Sequence, residues 1–168
     1  MSDDAVQELV DKEAIRHAVL RYCRGVDRSD EELLASAYHD DAVDYHGARP
    51  FEGAAIAPGI LDLVSKSRVS QHQILNQFIE LHGPEAAAAE TYFTAWQTLE
   101  YEGAERMLIA VGRYIDRFEK RAGEWRIAHR VVIVEHTQVL PAEGVFPPSR
   151  PGLGRRDRDD PSYEALAP

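Results

Sequence analysis

The stretch AAAAETYFTAWQTLEYEGAERMLIAVGRYIDRFEKRAGEWRIAHRVVIVEHTQVL, Ala86 to Leu140, decides the fold. It is rich in Thr, Tyr, Phe, Val and Ile, the residues that fit a pleated, half-buried surface. Two turn signals divide it, Glu102-Gly103 and Ala122-Gly123. A third, His82-Gly83-Pro84, separates it from the preceding SQHQILNQFIELHG, which has the same character. Connections this short allow only antiparallel neighbours, so four strands in a meander are expected. Each strand has room for a dozen residues or more, well above the usual ~5–6. Strands of that length twist and coil, and bulges are expected in them.

Upstream the period changes. Ile15, Ala18, Val19, Tyr22, Cys23 and Val26 recur at helical spacing, giving a helix from about Val6 to Val26. Asp30 reads as the N-cap of a short second helix with Leu33, Leu34, Ala37 and Tyr38 as its apolar face. AVDYHG reads as a short strand, and the chain turns helical again after Pro58. Helices first and a long sheet afterwards make an α+β layout, with the N-terminal helices packed on one face of a long, curved, mainly antiparallel sheet. A curved sheet roofed by helices forms a cone, a natural apolar pocket. Residues 1–140 form this single domain. Residues 141–168 hold six of the nine prolines and form an arm, either disordered or covering the pocket mouth or a neighbouring subunit. Val145, Phe146, Leu153, Tyr163 and Leu166 are its candidate anchors.

The formal charge of −10 and pI of about 5.1 argue against nucleic acid and anionic membrane surfaces as partners. A single cysteine, Cys23, excludes an intrachain disulfide and fits a reducing compartment. The N-terminus lacks a signal pattern, and no apolar run approaches the ~20 residues that span a bilayer, so a cytoplasmic protein is expected.

Several chemistries lack support. Cys23 falls within the apolar stripe, where an inert thiol is expected. There is no GxSxG elbow, GxGxxG or P-loop, so no nucleotide cofactor is expected. His39, Asp40, Asp41, Asp44 and His46 fall within eight residues, but Asp40 and Asp41 read as turn residues, and no metal is expected.

An acid–base pair is better supported. A carboxylate bonded to one imidazole nitrogen fixes the tautomer and leaves the other nitrogen as a general base. His72, near the start of the first long strand, and Asp27, near the end of the first helix, are the candidates. Each has a bland alternative, an edge histidine and a solvated carboxylate flanking the apolar stripe. At roughly 100° per residue Asp27 falls about 100° off the centre of that stripe. Gly25 is the residue that can let the helix end and swing Asp27 inward.

The segments AIRHAVLRYCRGVDRSDEELLASAYHDDAVDYHG and GRYIDRFEKRAGEWRIAHR, with a histidine at a strand start between them, resemble the SnoaL-like branch of the nuclear transport factor 2-like, or cystatin-like, superfamily. The resemblance covers about Val6 to Leu140. It implies the cone fold and a homo-oligomer, a dimer or trimer built through the exposed sheet face. Members resembling this chain, among them scytalone dehydratase, bile-acid 7α-dehydratase and hexachlorocyclohexane dehydrochlorinase, imply cofactor-free elimination by an Asp–His dyad. Asp27 and His72 match that dyad, and Arg130 matches a pocket arginine. Tyr22 stands where the dehydrochlorinase has a lysine, which points to an oxygen-bearing substrate. Trp125 and Ile127 alternate onto one face and Arg130 onto the other, so an inward Arg130 requires a bulge.

The resulting expectation is a lyase, dehydratase-like with isomerisation as the related outcome, acting on an apolar cyclic small molecule. Phe78, Tyr92, Phe93, Trp96, Met107 and Tyr114 are candidate pocket walls, of which alternation lets only about half face inward. The same fold also serves non-catalytic ligand-binding proteins and small structural subunits of ring-hydroxylating oxygenases, so the site must decide.

Overall fold

The computed structural model describes residues 2–47, 49–142 and 154–167. Helix α1 runs Asp3–Arg28, α2 Glu31–Ala35 and α3 Ile56–Leu63. The strands are β1 Tyr38–Tyr45, β2 Phe51–Glu52, β3 Ser70–Leu81, β4 Ala86–Tyr101, β5 Ala104–Arg121 and β6 Glu124–Pro141. A last helix, α4, spans Pro161–Ala165. The six strands form one sheet in the order β2-β1-β6-β5-β4-β3. All neighbours are antiparallel except β1 and β6. The helices pack on one face, giving the α+β cone with a mixed sheet. Val145, Phe146 and Leu153 lie outside the described residues.

The meander turns follow the sequence signals. Glu102 and Gly103 both have positive φ, at 52° and 74°, as do Ala122 and Gly123 at 51° and 85°. Two successive left-handed residues make the turn whose twist matches the flanking strands.

Bulges set which side chains face the cone. In β3 the register against β4 shifts between Ile74 and Gln77. Before the shift the even residues Ser70, His72 and Ile74 point inward; after it Gln77 and Ile79 do, with Gln77 bonded to the buried Thr91. In β6 the partner steps from Ile127 to His129 while β5 steps by one residue. The extra residue, Ala128, reverses the phase, so that Trp125, Ile127 and Arg130 are all buried.

Helix α1 starts at a Ser2 cap with Asp3 and Asp4 in its first turn, where negative charge favours the helix dipole. Its buried side carries two carboxylates outside the apolar pattern, Asp11 and Asp27. Asp11 accepts hydrogen bonds from Trp125 Nε1 and Lys120 Nζ, both at 2.8 Å, and ties the helix to β5 and β6. The helix does not break at Gly25. It continues to Arg28 and ends at Ser29, which is left-handed at φ 52°. The expected hinge is therefore corrected. Gly25 is instead a point of close approach, because a Cβ there would stand 2.6 Å from the backbone nitrogen of Leu34. Gly25→Ala is expected to push α2 off α1 and to cost about 3 kcal/mol in urea denaturation, as overpacking against backbone does. A change below about 0.5 kcal/mol would show that the crossing has slack.

Two smaller expectations also change. Tyr38 opens β1 and is not part of α2, and Asp40 and Asp41 lie within β1. They occupy the irregular stretch where β1 slips against β6 between Tyr38 and Val43. Their exposure follows from that slip, which lifts them out of regular pairing. Among the described residues no helix is long and apolar enough to cross a membrane.

Candidate functional site

Asp27 lies in the last turn of α1 and is 9% exposed. The apolar stripe alone leaves it on a flank, but the last turn is covered on more sides than the turns before it. Leu34 closes against Gly25, β3 starts beside the turn, and the C-terminal segment lies across it. A straight helix thereby buries a flanking carboxylate.

The carboxylate is then fully engaged. Oδ1 accepts from His72 Nδ1 at 2.7 Å and from Ser70 Oγ at 2.9 Å, and Oδ2 accepts from the His72 backbone N–H at 2.8 Å. Burial raises the Asp27 carboxyl, yet the His72 and Ser70 hydrogen bonds and the His72 charge outweigh it and hold the group below its ordinary value. An ionised carboxylate can only accept, so His72 Nδ1 carries the hydrogen of this contact, and in the neutral ring Nε2 is then the nitrogen with the lone pair. That is the arrangement of a general base.

Arg130 is fully buried and forms a two-pronged pair with Asp116, both contacts at 2.7 Å. Its guanidinium carbon lies 4.3 Å from the centre of the Tyr22 ring and 4.1 Å from that of Tyr114, in the corner the two edge-on rings make. Burial lifts the Asp116 carboxyl and the Arg130 charge pulls it back, with the net direction upward. Tyr38 donates to Asp44 and lies 3.5 Å from Arg130 Nη1.

Tyr22 stands between these groups. Its ring meets His72 edge-on with centroids 6.1 Å apart and Tyr114 at 5.4 Å. Burial holds its hydroxyl far above the ordinary phenol value, with Arg130 opposing in part, so it is a neutral donor. Tyr22 Oη has no hydrogen-bond partner among the described residues. Asp44 Oδ1 and His46 Nδ1 are also buried without a hydrogen bond among those residues, and they lie 3.6 Å apart. A buried polar atom left unpaired is costly and marks where a ligand oxygen or water can bind.

Among the expected pocket walls, Phe93 and Tyr114 are buried and stacked at 4.4 Å. Trp96 and Met107 are half-buried. Phe78 and Tyr92 are on the outer face, 66% and 40% exposed. The β3 bulge turns Phe78 outward, and Tyr92 alternates with the buried Thr91 and Phe93. Of the His39–His46 cluster, Asp44 and His46 approach each other and the others turn elsewhere. His39 Nε2 meets the Glu119 carbonyl, Asp41 pairs with Arg121, and Asp44 accepts from Tyr38. Among the described residues no three His, Cys, Asp or Glu side chains group as a metal site would. Cys23 is buried, which pushes its thiol up and leaves it protonated.

Sequence reasoning missed Ser70 and Asp116 as members of this interior, and it read Tyr38 as a residue of α2 and Asp44 as part of the His39–His46 cluster. Strand parity could have found Ser70, two residues before His72. Asp116 was legible only as one more charge in IDRFEKR. Cavities bounded by described residues include one of about 320 Å³ beside Tyr38, His39 and Ile56, and one of about 500 Å³ beside Arg24, Asp30 and Tyr163. Neither includes Asp27 or His72.

A curved sheet roofed by helices, with a carboxylate–imidazole contact buried beneath them, gives a small α+β cone of the nuclear transport factor 2-like kind. The SnoaL-like domain family matches residues 7–131, and the chain belongs to it. No curated protein matches the chain. Among solved structures, a type 2 hexachlorocyclohexane dehydrochlorinase, LinA, is 19% identical over 87% of this chain and 99% of its own, with a TM-score of 0.76. A scytalone dehydratase-like protein from Novosphingobium aromaticivorans is 20% identical over 85% of this chain and 99% of its own, with a TM-score of 0.70. A β subunit like those of aromatic-ring-hydroxylating dioxygenases, from the same organism, is 19% identical over 77% of this chain and 92% of its own, with a TM-score of 0.61. At these identities the likeness is one of fold.

Proposed function

We propose that this protein is a cofactor-independent lyase that performs dehydratase-like elimination on an apolar cyclic small molecule. His72 Nε2 takes a proton from a carbon activated by a neighbouring carbonyl. The C–H electron pair becomes a new double bond, and the hydroxyl on the adjacent carbon leaves as water with the proton that the His72 imidazolium returns to it, which regenerates the base. Return of the proton at a remote carbon, without loss of the hydroxyl, gives isomerisation instead. Asp27 orients His72 and balances the imidazolium that forms. Tyr22 donates to the substrate oxygen on which negative charge develops. Arg130 acts at one remove, placing positive charge behind the Tyr22 ring. The observation carrying this reading is the 2.7 Å contact between Asp27 and His72, with side chains only 13% and 5% exposed. The likeness to a dehydrochlorinase and a dehydratase-like protein supports the same chemistry. A homo-oligomer in a cytoplasmic setting, without cofactor or metal, belongs to this reading, as does treating residues 141–168 as an arm attached to the 1–140 domain.

The test is turnover of cyclic hydroxyketones, followed by absorbance of the conjugated product and by exchange of the activated proton in deuterated water. Once a substrate is found, His72→Ala is expected to lower kcat/KM at least about 100-fold, the scale of general-base loss. Full turnover in His72→Ala would sink the mechanism.

A further inference from the structure

The described C-terminal residues return to the dyad. Arg156 places one guanidinium against four main-chain carbonyls. Nη2 donates to Val26 O at 3.0 Å and Nε to Asp27 O at 3.4 Å, while Nη1 donates to Val64 O at 2.8 Å and Ser67 O at 2.6 Å. Val26 and Asp27 lie in the last turn of α1, and Val64 caps the C-terminus of α3. The last carbonyls of a helix have no partner within it, and a cation there also meets the negative end of the helix dipole. Ser67 lies in the link that enters β3 three residues later with Ser70. One planar fork therefore joins the segment that carries Asp27 to the segment that carries Ser70 and His72.

The rest of the segment makes its own contacts with α1 and with the cap of α2. Tyr163 Oη donates to Asp30 Oδ2 at 2.7 Å, Arg158 pairs with Asp30 at 3.0 Å, and Arg24 donates to Ser162 at 3.2 Å. Asp160 caps α4 and accepts from the Arg155 backbone at 2.9 Å.

We propose that Arg156 is a positioning residue that holds the end of α1 and the entry to β3 at the spacing the Asp27–His72 contact requires. The inference rests on that pair being the general base. Asp27 must receive three hydrogen bonds from β3 at once, so a shift of either segment by a fraction of an ångström loosens all three. Lysine cannot replace the fork, because its compact ammonium on a flexible stem cannot span two pairs of carbonyls. Burial lowers the Arg156 pKa and the nearby Asp27 charge opposes this, as befits a cation seated against the site.

The test needs no substrate. Proton NMR on the whole chain follows the His72 Nδ1 proton and its exchange with solvent. Arg156→Gln is expected to speed that exchange at least about tenfold, and Arg156→Lys to speed it partly, while the Trp125 indole proton stays unchanged as a monitor of the fold. Tyr163→Phe removes an arm contact but leaves the fork, and is expected to exchange like wild type. Wild-type exchange in Arg156→Gln, or equal acceleration in Tyr163→Phe, would overturn the role of Arg156. Asp27→Asn is the control for the pair itself. If it leaves the His72 proton unaltered, the dyad reading fails first. If it abolishes the signal while Arg156→Gln does not disturb it, only the positioning role fails.

Discussion

Asp27→Asn is expected to reduce kcat by about 1,000-fold or more, with the fold retained, because the change reverses the polarity of the imidazole. The wild-type carboxylate accepts from Ser70 Oγ, His72 Nδ1 and the His72 backbone N–H. Asparagine offers one accepting oxygen for those donors and brings an N–H of its own. With its oxygen on the backbone N–H, its amide nitrogen faces Nδ1. The stable tautomer then places the hydrogen on Nε2, the nitrogen that must be bare to take a proton. Steady-state kinetics on an identified substrate checks this, with KM changing far less than kcat. A loss smaller than about tenfold would remove Asp27 from the mechanism.

The same variant carries a pH signature. The folded Asp27 carboxyl sits below its ordinary value of about 3.9. The stability it contributes is therefore present above that pH and is lost as pH falls through the folded value. Asparagine has no such dependence. The stability gap between wild type and Asp27→Asn should be widest above about pH 5 and should narrow in acid, measured by urea denaturation at several pH values. A gap independent of pH would show that the carboxylate is not held by its partners.

Arg130→Met is expected to destabilise the protein by about 3–5 kcal/mol at neutral pH. Methionine fills much of the space beside Tyr22 and Tyr114 but leaves Asp116 buried without a counter-charge, and Asp44 adds a second carboxylate nearby. The Asp116 carboxyl is already raised by burial, and without Arg130 it rises further. Its folded value then exceeds the unfolded one, so the penalty grows with pH above the unfolded value. Lowering the pH toward 4 should recover up to about 1.4 kcal/mol per unit. Removing both charges, as Arg130→Met with Asp116→Leu, should restore stability to within about 1 kcal/mol of wild type. If the single variant were as stable as wild type at every pH, the pair would not be buried as described. A stable double variant with low activity would separate the pair's electrostatic effect on Tyr22 from its part in packing.

Much of this interior was legible in the chain, and the limits are instructive. The four long strands and their turns follow from β-branched and aromatic runs punctuated by Glu102-Gly103 and Ala122-Gly123, all of which act locally. The Asp30 cap is likewise local, since its side chain bonds the Leu33 N–H three residues away. Burial of Asp27 was not legible from periodicity. The stripe on α1 predicts a flanking carboxylate, and only neighbours distant in the chain close over it. Gly25 was noticed for the wrong reason, because a glycine near a helix end is locally indistinguishable from a hinge, while the close approach to Leu34 is a tertiary fact. Alternation in β3 and β6 gave facing sets that bulges then shifted, outward for Phe78 and inward for Arg130. Arg156 read as one charge in a mixed run, and its four carbonyl partners belong to segments roughly a hundred residues upstream.

By itself the order of residues determined the helix-then-sheet layout, the turns and the caps, because each depends on backbone preferences and side chains within a few residues. It also put a carboxylate at a helix end and an imidazole at a strand start. Only the tertiary structure decided that the two meet, that Arg130 turns inward to Asp116, and that the C-terminal segment reaches back to the end of α1. Those outcomes depend on strand phase after a bulge and on groups far apart in the chain closing over one another. Neither quantity is written in any short window of sequence.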